Sequence, residues 1–146
     1  MKYKESKGKI KFNEQLLSNK STFEPIFLKF NFTFLNDDFK KIDKAIANKI
    51  LETCKYISIR PWISVMNDPK KISFEQIPVN QINSKMCRPT EYGSDVKFEN
   101  SIRKLDNKRD VIRIRETDKG RIIGKIVNKI FYVFYVDASG KGYKHD

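Results

Sequence analysis

Apolar and polar positions alternate with period two over Phe27-Leu28-Lys29-Phe30-Asn31-Phe32-Thr33-Phe34, a run rich in β-formers that predicts a strand. Asn36-Asp37-Asp38 follows as a helix N-cap cluster. Behind it Phe39, Ile42, Ala45/Ile46, Ile50 and Cys54 recur at three-to-four spacing, which predicts one amphipathic helix over 38–55. Arg60-Pro61-Trp62 breaks the chain, and Trp62, Val65 and Met66 predict a short second helix closed by Asp68-Pro69. From 67 to 108 no period is sustained and Pro69, Pro78 and Pro89 intervene, so loops are expected there, with short strands near 74–77 and 95–98.

The last third has the clearest pattern. Val111-Ile112-Arg113-Ile114-Arg115 alternates, Asp118-Lys119-Gly120 is a turn, and Arg121-Ile122-Ile123-Gly124-Lys125-Ile126-Val127 reads as the next strand. Asn128-Lys129 has hairpin chemistry. Ile130-Phe131-Tyr132-Val133-Phe134-Tyr135-Val136 is apolar on both faces, as a central strand covered on each side would be. The expected fold is therefore α+β, an antiparallel meander in the order β-α-α-β-β-β with its helices packed on one face. Residues 25–146 are expected to form a single domain, preceded over 1–24 by a Lys- and Ser-rich polar arm.

Charge changes this picture more than composition does. Thirty Lys and Arg against eighteen Asp and Glu leave a net +12, beyond the magnitude of about 2–8 usual for a small domain. Polyanions are the favoured partners, because phosphates release counterions when Lys and Arg replace them. Cys54 and Cys87 are the only cysteines, too few for a metal set or a disulfide framework, and reduced thiols in a cytoplasmic protein are expected. MKYKESKGKIKF lacks the apolar run of a signal peptide, and no stretch approaches the ~18 apolar residues of a membrane span. No carboxylate pair, His/Cys cluster or Ser/His/Asp set stands out, so neither a metal nor a small-molecule cofactor is expected. Ser139-Gly140-Lys141-Gly142 lacks the full phosphate-loop pattern.

The candidate chemistry lies at the end of the chain. Tyr143 and the single histidine, His145, are two apart and share a side of an extended tail. Arg113 and Arg115 share one face of their expected strand, as do Arg121 and Lys125, and these cations could converge beside the tail, with Lys141 and Lys144 within it. Such a set suits cleaving or gripping a phosphodiester. Histidine serves as acid or base near neutrality. Arginine presents a charged fork to phosphate oxygens, and tyrosine stacks on a base.

The order of elements, with "VIRIRETDKGRIIGKIVNKIFYVFYVD" and a Tyr/His tail, resembles the RelE/ParE-like toxins of bacterial toxin–antitoxin modules, most closely over 110–146. The resemblance implies metal-independent cleavage of mRNA at the ribosome, with the family's strand-opening arginine falling on Arg121 and its tail pair on Tyr143 and His145. Arg113 and Arg115 fall on the preceding strand, where the family often carries basic residues, and Gly124 stands where it commonly has tyrosine. The general base would be His145, Glu116 or another group. A cognate antitoxin is the implied protein partner, beside mRNA and the ribosome. Two alternatives stay open: a ParE-like gyrase inhibitor that cuts nothing, and a basic RNA-binding protein of phage or plasmid origin without activity.

Overall fold

The computed structural model describes residues 24–89, 105–117, 119–140 and 142. All of the expected arm over 1–24 except Glu24, and the expected strand near 95–98, lie outside the described residues. Strand β1 spans Lys29–Asn31. A 3-10 turn, Asp37–Lys41, is capped by the Asn36 side chain, which accepts from the Asp38 N–H. Helix α1, Lys44–Ser58, starts at its own cap, where the Asp43 carboxylate accepts from the Ala45 N–H. The one helix expected over 38–55 is thus split: Ile42 and Asp43 are extended, and the second Asx cap starts a new helix. Helix α2, Trp62–Met66, forms as the sequence predicts.

Strand β2 spans Ile72–Pro78 and runs into a 3-10 turn, Val79–Gln81. Then come β3, Lys108–Ile114, a 3-10 turn over Arg115–Thr117, β4, Arg121–Val127, and β5, Ile130–Asp137. The described strands form one sheet in the order β1-β5-β4-β3-β2. All pairs are antiparallel except β1 with β5, which is parallel and sets Phe30 beside Phe131. The α+β class holds, but the sheet is mixed and five-stranded rather than an antiparallel meander of four. The strand near 74–77 is a full member, and a parallel β1 covers the flank that β5 would otherwise expose.

Asn128 and Lys129 both have positive φ, 51° and 67°, as the two-residue β4–β5 turn demands. A β-bulge interrupts this pair between Ile123 and Gly124: Ile123 faces Tyr135, Gly124 faces Val133, and Phe134 is the extra residue. Gly124 is needed there, because an added Cβ would lie 1.9 Å from the Tyr132 carbonyl oxygen. Tyrosine, the residue the family resemblance suggests at 124, has no room.

The sheet is covered on both faces, which is why β5 is apolar on both sides from Ile130 to Val136 and β4 carries isoleucine on both sides at Ile122 and Ile123. Ile50, Cys54 and Ile57 of α1 and Trp62 and Val65 of α2 pack onto Ile72, Phe74, Ile112, Ile122, Phe131 and Val136. Trp62 meets the Phe74 ring edge-on and belongs to this core. On the other face Ile82, Met86 and Cys87, from the segment after β2, cover Val111, Ile123 and Tyr135. Both cysteines are free and buried, and burial pushes the Cys54 thiol up to about 12. No described helix is long and apolar enough to cross a membrane.

Candidate phosphate-binding row

Cross-strand pairing sets four polar residues in line on the face opposite the helices. Ser73 is paired with Arg113, Arg113 with Arg121, and Arg121 with Asp137. Each belongs to the strand positions that alternate with the helix-facing core, so their side chains project to the same side. Ser73, Arg121 and Asp137 are buried and Arg113 is half-buried. Two guanidinium groups on directly opposed positions repel one another, and an anion between or above them relieves that repulsion. The Arg113 Nε is buried and has no hydrogen-bond partner among the described residues.

Asp137 does not simply neutralise the row. Its Oδ1 accepts from the Ser139 N–H and hydroxyl, at 2.9 and 2.7 Å, and its Oδ2 accepts from the Gly142 N–H at 2.9 Å. The carboxylate thereby folds the segment after β5 back over the sheet. The Asn83 N–H donates to the Gly142 carbonyl at 2.7 Å, and a Cβ on Gly142 would lie within 3.3 Å of Met86 and Ile123. The chain therefore leaves Gly142 over Ile123, two positions along β4 from Arg121. Tyr143, Lys144, His145 and Lys141 lie outside the described residues, as does the Glu116 side chain.

The other expected site residues are placed differently. Arg115 is not on the strand beside Arg113: β3 ends at Ile114, and Arg115 opens the following 3-10 turn, exposed, its N–H donating to the Lys71 carbonyl. The shared strand face expected for the pair is therefore lost. Lys125 does project on the same face as Arg121, but its ammonium is held by both Asp106 carboxylate oxygens, at 2.7 and 2.8 Å. Burial raises the Asp106 carboxyl, yet the Lys125 bond and the Lys108 N–H outweigh it and hold the group below its usual range. Lys125 closes that end of the face rather than offering a free cation.

Arg109, Lys85 and Asp110 had no part in the sequence reading. Arg109 is buried on the same face, donates to the Cys87 and Asp106 carbonyls, and pins both flanking segments. Lys85 reaches Asp38 at 2.8 Å, while the Tyr135 hydroxyl donates to the same carboxylate oxygen. The Lys85 bond, more than the opposing desolvation, lowers the Asp38 carboxyl. The Asp110 side chain, 2% exposed, accepts from the Ile126 N–H and the Gln76 amide, and burial raises its carboxyl. No local signal marked Arg109 and Asp110 as buried: with Lys108 they form a run of three charged residues that opens β3, and such a run reads as exposed. Among the described residues no group of three or more His, Cys, Asp or Glu could hold a metal. No family model, curated protein or solved structure matches the chain.

Proposed function

We propose that the chain is a metal-independent endoribonuclease of the toxin–antitoxin kind, acting on mRNA at the ribosome in the cytoplasm and restrained by a cognate antitoxin. The observation that carries the reading is the opposed pair Arg113 and Arg121, on the face from which the tail departs at Gly142. Cleavage of RNA without a metal needs a base for the 2′-hydroxyl proton, an acid for the departing 5′-oxygen, and fixed cations for the charge that develops on phosphorus. Arg113, half-buried, supplies the direct contact to phosphate. Arg121 adds positive potential beneath it. His145 shuttles the proton, and Tyr143 stacks on a base.

A second reading, a basic RNA binder without activity, is favoured by one observation: Arg121 is only 3% exposed and offers little surface to a phosphate. Wild type and His145→Ala, induced in parallel in a bacterial host, separate the two. New mRNA 5′ ends within translated codons, mapped by primer extension and absent from the variant, are expected for the nuclease. Binding that weakens steeply with salt but survives His145→Ala, with no new ends in either strain, would leave only the binder.

A further inference from the structure

The helix-covered side of the molecule carries a second feature, unconnected with the arginine row. Phe32, Leu35, Phe39, Ile42, Ala47 and Leu51 line an apolar groove of about 430 Å³ between β1, the first 3-10 turn and α1, floored by Ile50 and Val136. Phe32 and Phe39 are each 42% exposed and Leu51 63%. Large side chains are left facing water beside a concave apolar floor, which is how sites for an inserted helix are built. The charges around it are specific. Near the groove, Asp37 pairs with Lys40, Asp38 with Lys41 and Lys85, Lys49 with Glu52, and Asp43 caps α1. Lys44 and Lys55 make no such pair among the described residues. They stand on the same helical stripe as Ala47 and Leu51, one at each end. Eleven positions separate them, about 16 Å along the axis.

We infer that this groove docks an amphipathic helix of another polypeptide, its apolar stripe seated on Leu51 and Phe39 and a carboxylate at each end reaching Lys44 and Lys55. A second copy of this chain is a poor occupant, since each copy carries +12. An anionic bilayer fits poorly too, because it would meet Asp37, Asp43 and Glu52 along with the lysines and is too flat to fill a cleft. The inference stands on the groove and does not depend on any activity of the arginine row.

A fluorescein-labelled peptide of about 18 residues, roughly 27 Å as a helix, tests this by anisotropy against the full chain. It carries leucines at i, i+4 and i+7 and glutamates at both ends. Controls are a scramble of equal composition and a version with lysine ends. The designed peptide should bind about tenfold or more tightly than either control, and Leu51→Asp should remove that advantage. Leu51 is exposed, so this variant should keep the wild-type circular dichroism. Lys44→Glu with Lys55→Glu should turn the preference toward the lysine-ended peptide. Equal binding of peptide and scramble, no binding, or binding indifferent to Leu51→Asp would overturn the inference. So would capture by phosphatidylglycerol vesicles, or a wild-type dimer by sedimentation, that Leu51→Asp abolishes.

Discussion

Replacing Gly124 with alanine adds a single methyl group at the tightest point of the sheet. Its φ lies outside the left-handed region, so alanine meets no backbone penalty and the cost is steric alone. The new Cβ would fall 1.9 Å from the Tyr132 carbonyl oxygen and 2.8 Å from a Phe131 ring carbon, where real Cβ atoms do not come within 3.0 Å. The β4 and β5 backbones must separate by at least 1.1 Å at a point flanked by ladder bonds on both sides. Overpacking costs about 1–3 kcal/mol. Weakening one or two ladder bonds adds about 1 kcal/mol each. The expected loss is therefore roughly 2–5 kcal/mol, a large part of the 5–15 kcal/mol that holds a typical domain together. Urea titration followed by circular dichroism should show the midpoint fall, and the melting temperature should drop by about 6–15 °C. A loss below about 1 kcal/mol would refute the reasoning, because the sheet would then accommodate the methyl without moving backbone.

Two further substitutions test the turn and the buried carboxylate. Lys129 has φ 67°, in the left-handed region that costs an L-residue roughly 1–2 kcal/mol, so Lys129→Gly should stabilise by about 0.5–1 kcal/mol after the entropy of glycine is deducted; a lowered urea midpoint would contradict the turn geometry. Asp110→Asn should stay within about 1 kcal/mol of wild type, because Asn can accept from Ile126 and donate to a flipped Gln76 amide. Burial raises the Asp110 carboxyl, so the folded state holds its proton more tightly than the unfolded state. That contribution is complete below the ordinary carboxyl value of 3.8 and is lost as pH rises through the folded value. Urea midpoints at acidic and neutral pH should therefore show the asparagine variant gaining on wild type as pH rises; the opposite trend would mean a carboxylate stabilised by its partners.

Local signals set what could be read from the chain. The Asn128-Lys129 hairpin, the short helix at Trp62 and the two-faced apolarity of β5 each follow from a few adjacent residues, and each is present. The parallel pairing of β1 was not legible, because it joins Lys29 to Ile130 across a hundred positions through only three residues. The period of the first helix runs on through Ile42, and only the second Asx cap at Asp43 marks the break. Of the cations expected on one sheet face, Arg113 and Arg121 are brought together because the β3–β4 connection is short and symmetric about Thr117. Arg115 departs because the strand ends one residue earlier than its alternation suggests. The Asp106 grip on Lys125 comes from a loop residue whose approach no local pattern encodes.

The bulge joins these local and distant facts. Phe131 and Val133 face the helices, and an unbroken strand would send Tyr135 and Asp137 the same way. A carboxylate at the Asp137 position would then enter an aliphatic layer, and Val136 would turn toward the arginine row. With Phe134 as the extra residue, the alternation reverses: Val136 floors the groove beneath α1, and Asp137 stands opposite Arg121. Gly124 is the position that lets the strands approach closely enough for this to happen. One added residue thus determines both surfaces of β5, the apolar floor on one side and the end of the charged row on the other. The two proposed sites share that strand but no side chain, so substitutions at Leu51 and at Arg113 should report on them independently.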